Sequence, residues 1–308
     1  MTISAQTFDE HKRVLWGMCY RMIGSATDAD DIVQDTFVKA LERPPTDMEA
    51  PLRPWLVKVA MNLSRDHLRR RRRREYVGPW LPSPVLTDGD DQNHPGSTEA
   101  SPGVRYDMME SLTLAFLLAL ETLTPAQRAV LLLRDVFDYS TTETADALDM
   151  SEANIKVTLH RARRIMGSYE KNRVSNFSRR VESMRDTLQQ FLSRLASGDV
   201  QGLKEMLAAD VVLVTDGGGE INALADPVYG SEKVLRLIAK LYEANRDVTS
   251  TSLRNVNGEP AILVERSQMR PGHASFFTMH CELDADSRMQ RLHFVFAPSK
   301  LTALTSLP

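Results

Sequence analysis

Residues 123–166, LTPAQRAVLLLRDVFDYSTTETADALDMSEANIKVTLHRARRIM, decide the fold of the part of the chain around them. Thr124 comes directly before a proline and three residues before Gln127, which is the pattern of a capped helix start. Ser140 stands in the same relation to Glu143, so a second helix begins there. Apolar residues follow each start at helical spacing, which predicts two short amphipathic helices joined by a tight turn.

A third helix is predicted after the turn at Asp149-Met150, with Ser151 as its cap. Its inward side consists of apolar residues at helical spacing: Ile155, Leu159, Ala162 and Met166. Its outward side is basic: Lys156, His160, Arg161, Arg163 and Arg164. Two short helices joined by a tight turn, the second of them basic, are the unit that puts a helix into the major groove of DNA. A helical hairpin with a solvated basic face is the alternative.

An acidic stripe is predicted on an earlier helix, within DADDIVQDTFVKALE at residues 28–42. Asp28, Asp31 and Asp35 recur at helical spacing, so they share one side of that helix. The residues expected to be buried on the other side are Ile32, Val33, Phe37, Ala40 and Leu41. Taken alone, an acidic stripe is most often only a solvated face.

A basic helix is predicted next, within PWLVKVAMNLSRDHLRRRRRR at residues 54–74. Its expected buried stripe is Trp55, Leu56, Val59, Ala60 and Leu63. Asn62 and Arg65 precede an arginine run from Arg69 to Arg74. A loop followed by a helix with an amide and many guanidinium groups suits single-stranded DNA beside a duplex, because arginines bind phosphates. The arginine run alone could equally bind RNA without sequence preference.

Composition divides the chain into four parts. Helical patterns occupy residues 1–75 and 107–172. Between them, residues 76–106 are rich in proline, glycine and acidic residues, which predicts a flexible linker. Residues 173–308 begin with helical patterns and continue with strand-like runs, which predicts an α+β domain. The expected strands are Val211–Val214, Ala261–Val264, Phe276–Cys281 and Arg291–Phe296.

Helices followed by a curved antiparallel sheet would form a cone with a pocket on its concave face, which could take a small-molecule ligand. His280 and His293 lie in the predicted strands, but spacing assembles no acid–base pair around them. Structural roles are therefore expected for both histidines. No catalytic residue, metal site or other cofactor is expected.

Composition also limits the class of protein. The 308 residues are 42% hydrophobic, which is enough for two or three domains. No apolar run approaches the roughly 20 residues that span a bilayer, so no membrane association is expected. The two cysteines, Cys19 and Cys281, fit neither a disulfide framework nor a zinc pattern, which favours the cytoplasm. The net charge of −3 is segregated along the chain, which indicates separate surfaces for anionic and cationic partners.

Three of these segments, in this order, resemble those of the extracytoplasmic-function (ECF) sigma factors of bacterial RNA polymerase. Residues 28–42 are similar to the family's helix that binds core polymerase. Residues 54–74 are similar to its helix that melts and reads the downstream promoter element. Residues 123–166 resemble its helix-turn-helix for the upstream element. The resemblance implies a helical bundle, sigma region 2, over residues 1–75 and a helix-turn-helix, sigma region 4, over residues 107–172.

The resemblance also implies roles for residues by position. Pairing with a basic surface of core polymerase would fall to Asp28, Asp31, Gln34 and Asp35. The downstream element would be contacted by Asn62, Arg65, Arg69 and Arg70. Of these, Asn62 would hold a flipped base near the loop 43–52. The upstream element would be contacted by Lys156, Val157, His160, Arg161 and Arg164. Val157 offers no hydrogen bond, so readout there could only be apolar or by shape.

Residues 173–308 resemble the domain of a subgroup of these sigma factors with a fused SnoaL-like (NTF2-like) α+β cone. Residues 191–220, FLSRLASGDVQGLKEMLAADVVLVTDGGGE, read like that domain's opening helices and first strand. The subgroup's linker motif is mirrored in YVGPWLPSP at residues 76–84. Its Asp-Gly-Gly-Gly-Lys motif appears as Asp216-Gly217-Gly218-Gly219-Glu220. Its terminal Asn-Pro-Asp-Lys-Leu motif appears as Ala297-Pro298-Ser299-Lys300-Leu301.

The subgroup resemblance implies regulatory contacts between linker and C-terminal domain. The residues concerned are Trp80, Leu81, Pro82, Asp216, Gly217, Gly218, Gly219, Glu220, Lys300 and Leu301. An aromatic side chain such as Trp80 is costly to leave in water and is favoured at interfaces. The expected protein is a cytoplasmic sigma factor rather than an enzyme. It is expected to be monomeric when free, to bind core RNA polymerase and promoter DNA, and to be modulated in cis by its C-terminal domain.

Two other functions fit parts of the sequence. A ligand-responsive helix-turn-helix regulator that never joins polymerase would account for the helix-turn-helix and the pocket. It would leave the acidic stripe and the helix with Asn62 unexplained. An enzyme of polyketide-cyclase or isomerase type, fused to a DNA-binding module, would need a catalytic aspartate or histidine in the pocket.

Overall fold

The structure, a computed structural model, describes residues 5–45, 47, 50–71, 76–88, 104–172, 177–244, 248–266 and 272–305. The chain forms two compact units. Residues 1–75 and 89–173 belong to the first, and residues 76–88 and 174–308 belong to the second. Within the described ranges, no helix is both long enough and apolar enough to cross a membrane.

The first unit is built from helices. Three come first and pack on one another: α1 (Ala5–Ile23), α2 (Ala26–Glu42) and α3 (Leu52–Arg71). A short 3₁₀ helix at Glu110–Leu112 precedes the remaining five. These are α4 (Leu114–Leu120), α5 (Pro125–Asp135), α6 (Thr141–Leu148), α7 (Glu152–Ile165) and α8 (Gly167–Asn172).

The predicted helix caps are confirmed. Thr124 Oγ1 accepts a hydrogen bond from the backbone N–H of Gln127 at 3.3 Å, and Gln127 Oε1 accepts one from the Thr124 N–H at 3.0 Å. Ser140 and Glu143 make the same reciprocal pair at the start of α6. Ser151 Oγ caps α7 by accepting from the N–H three residues further on. The helix-turn-helix therefore forms from local hydrogen bonds that the sequence specifies.

The apolar helix faces follow the predicted spacing, with exceptions. The four inward residues of α7 are all buried: Ile155, Leu159, Ala162 and Met166. The prediction for Leu41 is wrong, because its side chain is 56% exposed while Ala40 is buried. One residue further along a helix turns the side chain by about 100°, which takes Leu41 off the buried stripe. Several other residues predicted to be buried are only half-buried: Phe37, Trp55, Val59 and Leu63.

A buried arginine joins α1 to the segment that precedes α4. Arg21 has no exposed surface and donates to Ser111 Oγ at 2.7 Å and to the Met108 carbonyl at 2.8 Å. Its guanidinium also lies 5.4 Å from the ring centroid of Phe137. Burial lowers the pKa of Arg21 to about 9, which leaves the group charged at neutral pH. Because a buried charge without partners is costly, these contacts fix the two segments together.

A second ion cluster joins α3, α5 and the end of α4. Glu121 Oε1 accepts from Arg128 Nη1 at 2.8 Å, and Glu121 Oε2 accepts from Arg71 Nη2 at 2.5 Å. Both arginines also donate to carbonyl groups at the end of α1. Burial alone would raise the pKa of Glu121, but Arg128 and Arg71 hold it below its ordinary value. Arg71, predicted to belong to the DNA-binding arginine run, therefore has a structural role; residues 72–74 of that run lie outside the described ranges.

The second unit is an α+β domain, as predicted. Its helices are α9 (Phe177–Ser197), α10 (Val200–Glu205), α11 (Ser231–Ala244) and α12 (Pro298–Thr305). Its strands are β1 (Leu207–Asp216), β2 (Val228–Tyr229), β3 (Val248–Val256), β4 (Glu259–Arg266), β5 (Phe276–Leu283) and β6 (Met289–Val295). They form one sheet in the order β2-β1-β6-β5-β4-β3. The core lies between one face of this sheet and helices α9 and α11.

The sheet is mixed, so the prediction of an antiparallel sheet is wrong at one pair. Strands β1 and β6 run parallel, and the other neighbours run antiparallel. A parallel pair needs a long connection, which here contains α11 and the four strands β2 to β5. The four predicted strands are confirmed as β1, β4, β5 and β6. Strand β3, VTSTSLRNV, lies at the sheet edge and carries mostly polar residues, so the apolar pattern does not predict it.

The prediction of a flexible linker over residues 76–106 is wrong at both ends. Tyr106 is buried in the first unit, and residues 76–88 pack as part of the second unit. Leu81 and Val85 are buried, and Leu86 forms a β-bridge with Val256 at the end of β3. The domain therefore binds the backbone of this segment and buries part of its apolar surface, although Val77 stays 68% exposed. Residues 89–103 lie outside the described ranges.

We expect the contribution of Glu121 to stability to depend on pH. Its folded pKa is lowered, so its ionised form stabilises the first unit above the unfolded pKa of about 4.3. That contribution is lost as the pH falls through the folded pKa. Glu121→Gln should therefore destabilise the chain at pH 7, and the difference from wild type should disappear on acidification. Urea unfolding followed by circular dichroism between pH 7 and pH 3 measures this.

The matched control is Glu42→Gln, which changes an exposed glutamate at the end of α2. It should leave the free energy of unfolding nearly unchanged at every pH. A Glu121→Gln difference that stays constant down to pH 3 would contradict the assigned role.

Candidate functional site

Helix α7 presents the residues predicted for upstream DNA to solvent. Its apolar side packs on α5 and α6, which leaves the opposite side open. All five predicted contact residues are exposed: Lys156, Val157, His160, Arg161 and Arg164. Val157 is 49% exposed, so an apolar contact is available in the middle of a basic surface. The arrangement suits a helix that meets phosphates with its cations and a base edge with its apolar residue.

Arg163 does not belong to that surface, although its position on α7 predicts it. Its Nε and Nη2 donate to Asp135 Oδ2 and Oδ1 at 2.9 and 2.6 Å. Asp135, the last residue of α5, is only 2% exposed. The hydrogen bond with Asp135 raises the pKa of Arg163. A bidentate pair of this kind has a fixed geometry, so it orients α7 relative to α5.

The four residues predicted for the downstream element are all on α3 but differ in surroundings. Arg69 and Arg70 are exposed, and Arg69 pairs with Asp66 at 2.8 Å. Asn62 Oδ1 accepts from Arg65 Nη1 at 3.3 Å. Arg65 is half-buried, and burial, followed by the charge of Arg69, lowers its pKa. Asn62 and Arg65 are therefore held within the unit, whereas the other two arginines face solvent.

Helix α3 lies against the helix-turn-helix. Arg65 Nη1 donates to the Leu148 carbonyl at 3.2 Å, and Lys58 Nζ lies 2.5 Å from Asp149 Oδ1. Asp149 ends α6 with a φ of 52°, so it is the residue that forms the turn. The Lys58–Asp149 pair is solvent-exposed and is worth only about 0–1 kcal/mol. The helix with Asn62 and the helix-turn-helix are thus side by side, joined by weak contacts at this point.

Three of the four residues predicted to bind core polymerase form an exposed surface on α2. Asp31, Gln34 and Asp35 are exposed. Asp28 differs, because its carboxylate lies 3.5 Å from His67 Nε2 and its backbone N–H is taken by the N-cap serine. Asp28 is half-buried, so it presents less of its carboxylate to solvent than Asp31 and Asp35 do.

The acidic surface of α2 continues into an apolar one. Val38 is 49% exposed and lies four residues after Gln34, so the two side chains are neighbours on one side of the helix. Leu41, 56% exposed, extends that side by almost one turn. A surface that combines carboxylates with large exposed apolar side chains is typical of a protein-binding site.

A buried carboxylate organises the contact between residues 76–88 and the rest of the C-terminal domain. Asp216, at the end of β1, has no exposed surface. Its Oδ1 accepts from the Tyr76 hydroxyl at 2.7 Å and from the Gly218 N–H at 3.0 Å. Its Oδ2 accepts from the Leu81 N–H at 2.7 Å and from Lys300 Nζ at 2.6 Å. Two of these four donors belong to segment 76–88.

Lys300 on α12 completes the cluster. Its Nζ also donates to the Leu81 carbonyl at 2.6 Å, so both backbone groups of Leu81 are bound. The ammonium lies 4.7 Å from the ring centroid of Tyr76 and 4.6 Å from that of Trp80. A desolvated cation between two aromatic rings is strongly favoured by their electron-rich faces. We call Tyr76, Leu81, Asp216 and Lys300, together with Trp80, the linker clamp.

All three consecutive glycines are required by this geometry, and Gly219 has a φ of +76°. Gly218 has a φ of +62°, which lets its N–H point at Asp216 and which few other residues adopt. A Cβ on Gly217 would lie 2.3 Å from the Ile221 carbonyl oxygen. Next to them, Glu220 Oε1 accepts from the Ser299 hydroxyl at 2.5 Å. Glu220 and Ser299 are positions at which this chain departs from the subgroup's motifs, and the two departures contact each other.

The second half of segment 76–88 binds the β3–β4 turn. Val85 N–H donates to Asn257 Oδ1 at 3.1 Å, and the Asn257 N–H donates to the Val85 carbonyl at 2.8 Å. Thr87 N–H donates to the Asn255 carbonyl at 2.8 Å. Asp88 pairs with Arg254 on β3. Sequence reasoning did not predict Asn257, although an Asn-Gly pair between strands is a strong hairpin signal.

The two histidines of the predicted strands lie next to each other inside the sheet. His280 and His293 are cross-strand neighbours on β5 and β6 and are both buried. Burial lowers both pKa values to about 3, with a further contribution from His293 to His280 and from Arg291 to His293. His280 Nε2 lies 3.1 Å from Thr278 Oγ1. Both rings are therefore neutral at physiological pH. The two cysteines are buried thiols as well.

Comparison with known proteins assigns the two helical segments. The Sigma-70 region 2 family matches residues 7–74, and the Sigma-70, region 4 family matches residues 113–166. The ECF RNA polymerase sigma factor SigJ of Mycobacterium tuberculosis (strain ATCC 25618 / H37Rv) is 30% identical over 238 residues, which cover 77% of this chain and 72% of that protein. The chain belongs to the ECF RNA polymerase sigma factors. Sigma factors initiate transcription and are not themselves enzymes.

The likeness extends over the C-terminal domain. The probable ECF sigma factor SigI of Mycobacterium tuberculosis (strain CDC 1551 / Oshkosh) is 27% identical over 301 residues, or 96% of this chain and 93% of that protein. SigG of the same strain is 32% identical over 231 residues, but the match covers only 60% of its length. The crystal structure of Mycobacterium tuberculosis SigJ matches with a TM-score of 0.71 at 25% identity and covers 97% of this chain and 99% of that one. Helical sigma regions followed by an α+β domain are therefore shared with SigJ.

We expect Arg161 of this sigma factor to contact upstream promoter DNA. If it binds a base edge, Arg161→Ala should cost about 1–3 kcal/mol and relax sequence preference at one position. If it binds a phosphate, all sequences should bind more weakly and the slope of log K against log salt should fall by about one. Holoenzyme binding to promoters randomised in the upstream element, at several salt concentrations, separates the two.

The control for Arg161→Ala is Lys171→Ala, which removes an exposed cation from α8 of the same unit. Its binding and sequence preference should match those of the wild type. Unchanged affinity and unchanged selected sequences for Arg161→Ala would show that the residue makes no DNA contact.

Proposed function

We propose that this sigma factor binds core RNA polymerase through α2 and that its C-terminal domain modulates its activity in cis by holding segment 76–88. The observation that carries the regulatory part is the linker clamp, in which Asp216 and Lys300 of the domain bind both backbone groups of Leu81. The segment connects sigma region 2 to sigma region 4. Its state therefore affects both regions at once.

The binding surface for core polymerase is supported by charge and exposure together. Asp31 and Asp35 face solvent one turn apart, which suits a basic partner surface. Val38 and Leu41 add exposed apolar area beside them. Burial of apolar side chains supplies most of the affinity of such interfaces, and complementary charge adds specificity and speed of association.

Regulation by the C-terminal domain is supported by comparing the spacing of the promoter elements with the distance between the two DNA-binding regions. Two promoter elements two turns of DNA apart are separated by roughly 70 Å, at about 34 Å per turn. In the structure, Lys58 of α3 is 2.5 Å from Asp149 of the helix-turn-helix. The two DNA-binding regions must therefore separate before they can occupy both elements.

Separation draws on the length of the connecting chain. An extended chain spans roughly 3.3–3.6 Å per residue. Residues 76–88 can contribute that length only after they leave the C-terminal domain. The linker clamp therefore opposes separation in addition to the contacts of Arg21 with Ser111 and of Arg71 with Glu121, and its release favours the form that engages the promoter. A few kcal/mol of differential contact is enough to shift such a balance.

The role of α2 is tested by Asp31→Arg combined with Asp35→Arg. A single exposed ion pair is worth about 0–1 kcal/mol, so reversing both charges is needed for a clear effect. We expect binding to purified core polymerase to fall at least tenfold, with the circular dichroism spectrum unchanged. The matched control reverses two exposed acids on α1, Asp9→Arg with Glu10→Arg, and should bind as wild type does. Equal affinity of both double variants for core would refute the proposal for α2.

The role of the linker clamp is tested by Lys300→Met. The change keeps the length of the side chain but leaves Asp216 as a buried carboxylate without its cation, at a cost of about 3–5 kcal/mol. We expect the domain to relieve this by releasing residues 76–88. Hydrogen exchange of peptides from this segment should then accelerate at least tenfold, and run-off transcription with core polymerase should increase.

Two further variants make the linker clamp experiment specific. Lys233→Met changes an exposed lysine on α11 and should alter neither exchange nor transcription. Tyr76→Phe removes one neutral donor from Asp216. It should therefore increase both hydrogen exchange of the segment and run-off transcription, but less than Lys300→Met does. Faster exchange in Lys300→Met with no change in transcription would refute regulation through the segment.

A further inference from the structure

The C-terminal domain contains an apolar cavity that the linker clamp does not use. It lies between α9, α11 and the facing strands β3 to β6, and its volume is about 920 Å³. Sites for small molecules usually have volumes of about 300–1,000 Å³ and apolar walls. Among the residues that form the walls are Leu192, Ile238, Val264, Phe277, Met279 and Phe294.

The chemistry of the walls limits the occupant. Of the described residues that line the cavity, none carries a carboxylate, an amine, a guanidinium, an imidazole or a thiol. A charged molecule would lose its hydration there and gain no charged partner among the described lining residues, which is unfavourable. Hydroxyl groups are present only at Tyr242 and Thr251, and both of these residues have exposed surface. The interior therefore suits a hydrocarbon body, with a single polar group near the opening.

The cavity is open to solvent on one side, where Ala196, Tyr242 and Thr251 are exposed. Its apolar walls are therefore in contact with water when no molecule occupies it. An apolar molecule that enters removes both its own surface and that of the walls from water, which favours binding.

We propose that this cavity binds a small, uncharged, predominantly apolar molecule, held by burial of its hydrocarbon surface with a hydroxyl or carbonyl group near Tyr242 and Thr251. This inference does not depend on how core polymerase or DNA is bound.

Two fluorescent probes with the same ring system test the proposal on the full-length protein. N-phenyl-1-naphthylamine is uncharged, and 8-anilino-1-naphthalenesulfonate carries a sulfonate on the same anilinonaphthalene skeleton. We expect the uncharged probe to bind saturably with one site per chain. The sulfonate should bind at least tenfold more weakly, because the cavity offers its charge no partner.

Two matched pairs of variants localise the site. Ala196→Trp fills the cavity from α9, and its control Ser197→Trp changes the next residue, which does not line the cavity. Thr251→Trp fills it from β3, and its control Ser250→Trp points to the other side of that strand. The cavity-lining variants should weaken the uncharged probe at least tenfold, and the controls should bind it as wild type does. Thermal unfolding identifies any variant that fails to fold. If one cavity variant does not fold, the second pair of variants still tests whether the probe binds in the cavity.

The proposal is overturned by several outcomes. They are the absence of saturable binding, equal affinity for the two probes, or the same affinity in a cavity variant and its folded control. Binding that changes with protein concentration would also overturn it, because the cavity would then be receiving a second copy of the chain. None of these outcomes bears on transcription, so the proposed function is tested separately.

Discussion

A carboxylate that has no access to water must find its hydrogen-bond donors within the protein, and Asp216 is such a group. Strand β1 and the glycine turn supply its position and one N–H, and α12 supplies the ammonium of Lys300. The remaining two donors, Tyr76 and Leu81, come from a segment far earlier in the chain. The C-terminal domain is therefore incomplete without residues 76–88. Its polar interior, and not only its apolar core, sets where the domain begins.

The same principle arranges the first unit. Arg21, Arg128 and Asp135 are nearly without exposed surface, and each is bound to a partner on another element. Apolar contacts between amphipathic helices supply much of the stability, but they tolerate sliding and rotation. Buried charges with defined partners do not tolerate such movement, because displacing one helix would leave an unpaired charge in the interior. In this unit they fix the angle of the recognition helix and the position of the loop before α4.

Local signals made much of this architecture predictable. The serine and threonine caps specify where α5, α6 and α7 begin, and the apolar spacing specifies the inward side of α7. Once the inward side of α7 is known, the residues on its opposite, exposed side can be predicted as well. Arg163 and Arg71 could not be separated from their neighbours, because their acidic partners Asp135 and Glu121 are distant in sequence.

The less predictable parts depend on long-range pairing. Strand β3 has the composition of a loop and is a strand only because β4 lies beside it. The parallel pairing of β1 with β6 is set by the whole intervening chain. Residues 76–88 have the composition of a linker, and only the family motifs indicated their contacts. Glu220 and Ser299 show why a motif can change at two positions together, since one accepts the other's hydrogen bond.

Segment 76–88 gives the chain an unusual path, because the polypeptide enters the second unit, leaves it, and enters it again. A break in the backbone anywhere within residues 89–103 would therefore not divide the protein into independent pieces. The N-terminal piece would still carry Tyr76 and Leu81 into the C-terminal domain, and its Arg21 and Arg71 would still bind Ser111 and Glu121 of the other piece. The two polypeptides would form a noncovalent complex. The sigma factor can thus be regarded as two interlocked fragments: the first completes the second unit with residues 76–88, and the second supplies about half of the first unit.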